Sequence, residues 1–234
     1  MLLNTHMINL QVIAHMATPL VAYDDWSPSF DALLEYVLLD RLNLITPNPT
    51  KEDAEKNLPL IFEQMPIARK MLNGEWYWAV SSPHYIENHQ QTTRYRKRWD
   101  YQEHHLEWGK IRAKINGSEG HFKAYDLPRY DREMQTIHWF CVGDANKISD
   151  LLQSITHLGK KRSQGCGQVH KWEVLPFEHD WHLWRGDKLA RPIPVNMIEP
   201  PQAINMMHWG WRPPTWLAAN KSMCFMPTEN VWRE

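Results

Sequence analysis

Charge of one sign is missing from this chain of 234 residues: 26 Lys and Arg stand against 27 Asp and Glu, a formal net charge of −1. That balance excludes a globally basic, nucleic-acid-coating surface, so any cationic surface has to be local. Cysteine is scarce as well. Cys141, Cys166 and Cys224 are odd in number and show no paired spacing, which excludes a disulfide framework and predicts free thiols in a reducing cytoplasm. No apolar run approaches the roughly 18 residues of a membrane span, and the N-terminus lacks a basic segment followed by an apolar one. The expectation is a globular, cytoplasmic protein with no signal peptide and no membrane partner. The three cysteines and His179-Asp180-Trp181-His182 reproduce no zinc spacing, and the His-Glu-x-x-His signature is absent, so neither a metal nor a cofactor is expected. There is no internal repeat.

What the chain does have is enough apolar content for a core, 43% of its residues, and 13 tryptophans, six of them after residue 180. Ile8 to Ala17 alternates Ile8, Leu10, Val12, Ala14 and Met16 against Asn9, Gln11 and His15, the period of a half-buried strand. Capping residues and Pro28 then precede a helical stripe of Phe30, Leu33, Leu34, Val37 and Leu38 that ends near Leu42. Four prolines interrupt Ile45 to Pro66, which reads as a surface excursion with a short helix over Lys51 to Lys56. Trp76, Trp78 and Val80 alternate with Glu75, Tyr77 and Ala79 as a second strand.

From Tyr85 to Arg132 aliphatic residues thin out, and aromatics are scattered among Arg94, Arg96, Lys97, Arg98, Lys110, Arg112 and Lys114. Their local opponents are Asp100, Glu103 and Glu107, so a net basic insertion sits in a neutral protein. Gln135 to Gly143 is a continuous apolar run suited to a sheet centre. Ile148, Leu151, Leu152 and Ile155 then predict a helix capped by Asp144 and ending at Gly159, and Gln168 to Leu175 a last strand.

The fold class is therefore α+β, a ferredoxin-like (RRM-like) β-α-β-β-α-β domain. Residues 1–84 and 133–177 form that domain, 85–132 a basic thumb-like insertion between its second and third strands, and 178–234 an irregular, proline-rich C-terminal extension.

Between the predicted second helix and last strand lies His157-Leu158-Gly159-Lys160-Lys161-Arg162-Ser163-Gln164-Gly165-Cys166-Gly167. A Walker A loop runs from strand to helix and ends in Gly-Lys-Ser/Thr; here the order is reversed, and a dinucleotide fingerprint fails for the same reason. Glycines permit positive φ and close backbone approach, so Gly165 and Gly167 can aim N–H groups at a phosphate while Lys160, Lys161 and Arg162 supply charge. A solvated helix-to-strand turn with incidental charge is the competing reading.

This loop resembles that of the repeat-associated (RAMP) superfamily of CRISPR proteins, whose pattern is Gly-hydrophobic-Gly, five residues including Lys or Arg, then Gly-hydrophobic-Gly. Only the first glycine departs, as His157. Ile13-Ala14-His15-Met16-Ala17-Thr18-Pro19, Phe30-Asp31-Ala32-Leu33-Leu34-Glu35-Tyr36, Leu189-Ala190-Arg191-Pro192-Ile193-Pro194-Val195 and Trp211-Arg212-Pro213-Pro214 before Trp216 are similar to the Cas five-type subunit of type IV CRISPR effector complexes. The resemblance implies a non-catalytic subunit that holds the 5′ handle of the guide (cr)RNA and caps a filament of backbone (Cas seven-type) subunits. It also implies contact with a large (Cas eight-type) subunit and a place near target DNA beside its protospacer-adjacent motif.

The RNA-binding residues expected on this reading are Gly159, Lys160, Lys161, Arg162, Ser163, Gly165 and Gly167 of the loop and His15 of the first strand. In the insertion they are Arg94, Arg96, Lys97, Arg98, Trp99, Lys110, Arg112 and Lys114. Tyr95, Trp99, Tyr101 and Trp108 can stack bases, or can fasten the insertion to the main domain. Trp209, Trp211, Arg212 and Trp216 fit a partner interface, because Trp and Arg dominate hot spots, and fit equally a cover for a core short of aliphatics. The alternative function is a metal-independent endoribonuclease that processes guide precursors, with His15, His104-His105 or His170 moving the proton.

Overall fold

Alternation in the first strand decides which face of the central sheet is dry. The computed structural model describes residues 7–22, 24–97, 123–201 and 205–227. Its strands in the first half are β1 (Ile8–Met16), β2 (Leu20–Val21), β3 (Arg69–Leu72), β4 (Glu75–Trp78), β5 (His84–Tyr85), β6 (His89–Lys97) and β7 (Tyr125–Glu133). Those after them are β8 (Thr136–Gly143), β9 (Val169–Pro176), β10 (Trp184–Arg185), β11 (Lys188–Leu189), β12 (Ile193–Pro194), β13 (Asn205–Gly210) and β14 (Lys221–Met226). The helices are α1 (Phe30–Arg41), α2 (Lys51–Gln64) and α3 (Ala145–Leu152). The architecture is mixed α+β with mostly antiparallel sheets.

The central sheet has the order β5-β8-β1-β9, and all its neighbours are antiparallel. Leu10, Val12 and Ala14 of β1 pair with Cys141, Trp139 and Ile137 of β8, and these six are buried together under α1 and α3. From α1 come Phe30, Leu34, Val37 and Leu38, and from α3 Ile148, Leu151 and Leu152. Phe30 stacks on Trp139 with centroids 5.4 Å apart, and the Trp139 indole donates to Pro28 O at 3.1 Å. At roughly 1.5–3 kcal/mol for each large side chain fully removed from water, this layer is the main stabilising term. Cys141 in it is a free thiol, pushed up to about 12 by burial; Cys166 and Cys224 are also free and buried.

Four elements differ from the sequence expectation. The expected second strand, Trp76 to Val80, is instead the return arm of a hairpin: β4 pairs with β3 across Asn73-Gly74, both at positive φ. Asn-Gly is the strongest short hairpin signal, and it outweighs the longer-range alternation. The chain touches the edge of the main sheet at the Ile67–Gly143 and Val80–Cys141 bridges on either side of the hairpin and joins it as a strand at β5.

Helix α2 runs eight residues past the expected Lys56 end, through Pro59. A capping box between Thr50 and Asp53 starts it, and exposed Pro59 leaves the Glu55 carbonyl to solvent. Helix α3 stops at Leu152, so Gly159 is not its C-cap. β-Branched Ile155 and Thr156 favour extended backbone, and His157 bridges to Gln168 as sheet rather than helix.

The extension from 178 onward is not irregular. β12-β14-β13 form a three-stranded sheet and β10-β11 a hairpin, over a second cluster of Leu189, Ile193, Met197, Trp211, Phe225 and Met226. The proline count hid this, because Pro194 sits in β12, an edge strand where its missing N–H costs no ladder bond.

Candidate nucleic-acid interface

The described part of the insertion is a β-ribbon. β6 and β7 pair in register from His89–Glu133 to Lys97–Tyr125, and β2 continues the sheet on the other side of β7. Directly opposed residues share a face, so Tyr95, Lys97, Tyr125, Leu127 and Arg129 lie on one side, while Arg94, Arg96 and Asp126 lie on the other. Arg98, Trp99, Lys110, Arg112 and Lys114, with Tyr101, His104, His105 and Trp108, fall outside the described residues.

The glycine loop packs at the base of this ribbon. Lys161, held at φ +60°, lays its ammonium 4.1 Å from the centroid of the Tyr95 ring. Arg129 Nη1 donates to Gln164 Oε1 at 3.4 Å. Tyr95 and Tyr125 stack with centroids 5.3 Å apart. The hydrogen bond with Tyr125 and the nearby Lys161 hold the Tyr95 phenol below its ordinary range. Loop and insertion thus meet through the Arg129–Gln164 hydrogen bond and through Lys161 on Tyr95, more than sixty residues apart in the chain, a cation–π contact worth roughly 0.5–1 kcal/mol at such an exposed site.

Three of the loop's main-chain amides are taken up within the chain. Gly167 N–H donates to Pro19 O at 2.8 Å, Gly165 N–H to Arg162 O at 3.0 Å and Lys160 N–H to Val21 O at 3.0 Å. The expectation that Gly165 and Gly167 amides grip a phosphate is therefore corrected: they close the loop and tie it to the segment after β1. Gly167 is required there, because a Cβ would sit 1.9 Å from Leu158 O at a φ of +70°. What faces solvent is side chain: Lys160, Arg162 and Ser163 are exposed and Lys161 is half-buried against Tyr95. Beside the loop opens a cleft of about 270 Å³, with Tyr36, Ser154, Thr156, His157 and Arg162 on its wall.

Other expected residues lie elsewhere. Arg94 and Arg96 share Asp126, at 2.9 and 3.2 Å, on the ribbon face away from Tyr95, so much of their charge is already answered. His15 is on the open face of the central sheet, 3.3 Å from Glu173, and is not brought to the loop. Exposed His170 is the extra residue where the β1–β9 register shifts. The same open face carries His138, bonded to Gln11 and Thr136, and His84, which burial, with Arg185 and His138, pushes down to about 4. Phe177 and Trp181 pack over Phe140 there and cover part of that face.

Of the expected partner interface, Trp211 is buried in the second cluster, and Trp209 packs against that cluster and meets Trp26 at 5.5 Å. Arg212 donates to Glu75, Trp76 O and Asn220 while lying over the Trp76 and Trp211 rings. These three cover a core; Trp216 is exposed. Tyr125, Arg129 and Gln164 belong to the site and were missed, although the alternation of Tyr125, Leu127, Arg129 and Asp131 is a strand signal that would have placed the first two opposite β6.

A model of the family described as CRISPR type IV associated protein Csf3 matches residues 9–227. The chain belongs to that family. Its role therefore lies in type IV CRISPR systems, and the match takes in the central sheet, the ribbon, the glycine loop and β14 together. No curated protein matches it. Among the described residues of this family member, no group of three or more His, Cys, Asp or Glu is arranged to hold a metal ion, and no helix is long and apolar enough to cross a membrane.

Proposed function

We propose that the chain is a non-catalytic, crRNA-binding subunit of a type IV CRISPR effector complex that holds the 5′ handle of the guide with its glycine loop and β-ribbon. The observation that carries this reading is the contact of Lys161 with Tyr95, which joins two basic, sequence-distant segments into one surface beside an open cleft. Cations answer phosphates there, and the Tyr95–Tyr125 pair offers a stacking platform, a combination suited to single-stranded RNA rather than groove readout. The central sheet, read as β9-β1-β8-β5, is antiparallel throughout and has the 4-1-3-2 order of a ferredoxin-like domain, with the two-residue β5 rather than the expected strand Trp76 to Val80 in second place, which supports the RAMP-type assignment. In this role the subunit caps a filament of backbone (Cas seven-type) subunits, touches the large (Cas eight-type) subunit, and stands near target DNA.

Incubating the purified chain with repeat RNA in EDTA tests the proposal. Retention of the 5′ handle over scrambled RNA, without scission, is the expected result. A discrete cut abolished by one His→Ala change would instead establish an endoribonuclease.

A further inference from the structure

A second cavity, of about 300 Å³, lies between α1, the connection 44–49, α2 and the turn 213–216. Its walls are apolar, with Leu39 and Ile61 among them, and its charged groups among the described residues are two acids, Glu35 and Asp53, with no base. Asp53 is already engaged, accepting from the Thr50 amide and hydroxyl in the α2 cap. Glu35 is not. It is 8% exposed and makes no hydrogen bond to a described residue. A buried carboxyl left without a donor is costly, and no described residue supplies one here. Tyr36 and Trp216, 52% and 44% exposed, also line the cavity.

We propose that this cavity receives an arginine side chain presented by a partner protein, with its guanidinium on the Glu35 carboxylate and its stem along Leu39 and Ile61. Charge complementarity selects a cation, since both acids face an apolar space with no base among the described residues of its lining. The aromatic lining selects arginine over lysine: a planar guanidinium can stack on Tyr36 or Trp216 while its edge meets the carboxylate, and its methylenes match the aliphatic wall. A protein rather than a free metabolite is inferred because the chain belongs to a family associated with type IV CRISPR systems, whose members act beside other subunits. The inference does not depend on RNA binding by the glycine loop.

The test titrates the full chain at pH 9, where the Glu35 carboxyl is ionised, with n-butylguanidinium and with n-butylurea, its neutral isostere, by ligand-observed NMR. Saturable binding of the guanidinium, about tenfold tighter than that of the urea, is expected; Glu35→Gln, which keeps shape and removes the charge, brings the two level. Binding of neither compound, equal binding of both, or a guanidinium preference that survives Glu35→Gln overturns the proposal. In the assembled complex, a photo-crosslinking amino acid at position 216 should capture an arginine-containing peptide of a partner subunit. A complex in which that position captures no partner peptide also overturns it.

Discussion

Arg191 Nη2 stands 3.6 Å from Asp31 Oδ2, and both side chains are almost wholly buried. The same guanidinium donates to Trp78 O, to Val80 O at 3.1 Å and to Trp211 O at 2.7 Å, so one cation ties α1, the hairpin strand β4 and the C-terminal cluster together. Truncating one partner of a buried pair strands the other, at a cost of about 3–5 kcal/mol. Arg191→Leu is therefore expected to lose that much stability in urea unfolding, with part recovered in the double variant Asp31→Asn, Arg191→Leu. A loss below about 1 kcal/mol would show that the pair is not the fastening it appears.

Burial, and then the charge of Asp31, push Glu35 up to about 8 from 4.5. A carboxyl whose folded value exceeds its unfolded value favours the folded state when protonated; this contribution is fully present below pH 4.5 and is lost as pH rises through 8. From pH 5 to pH 7.5 the native chain should lose, relative to Glu35→Gln, on the order of 3 kcal/mol of unfolding free energy. Parallel stability–pH curves for the two proteins would contradict this.

The two glycines of the loop separate strain from space. Gly165 has φ +78° and open room, so Gly165→Ala meets only the left-handed penalty of roughly 1–2 kcal/mol. Gly167→Ala drives a Cβ into the Leu158 carbonyl and threatens the Leu158–Gly167 bond at 2.7 Å. Thermal melts should show a several-fold larger loss for the second; equal losses would mean the loop is not anchored at Gly167.

Replacing Lys160, Lys161 and Arg162 with Ala should weaken guide binding and flatten its dependence on the logarithm of salt concentration by up to about three charges. Unchanged affinity and slope would remove the loop from the site.

The ribbon has two unequal faces, and RNA binding should report them. Tyr95→Ala is expected to cost about 1–3 kcal/mol of guide affinity, with Tyr95→Phe nearly neutral, as for a stacking platform. Arg94→Ala with Arg96→Ala should matter less than Lys97→Ala with Arg129→Ala, because the second pair lies on the Tyr95 face of the ribbon and the first on the face away from it. Gel shifts ranking the pairs the other way would place RNA on the opposite face.

Where local signals were dense, the chain was legible. β1, α1, β8 and β9 appear within a residue or two of the positions that alternation and helical spacing predict. The misses come from competition between signals. At Asn73-Gly74 a local turn beat a sheet pattern, and after Leu152 an apolar spacing of helical period continued into backbone that pairs as strand. The loop's charge was legible, but the use of its amides was not, since that depended on where Pro19 and Val21 come to lie.

The sequence by itself determined three of the four strands of the main sheet, its dry face and the cationic loop, because periodicity and residue type act within a few neighbouring residues. Only the tertiary structure decided that Lys161 meets Tyr95, that Arg94 and Arg96 turn away, and that Glu35 faces an apolar cavity without a donor among the described residues. Those outcomes depend on strand register and on the approach of segments far apart in the chain. A one-residue change of register inverts a face, and no local pattern records which partner will arrive.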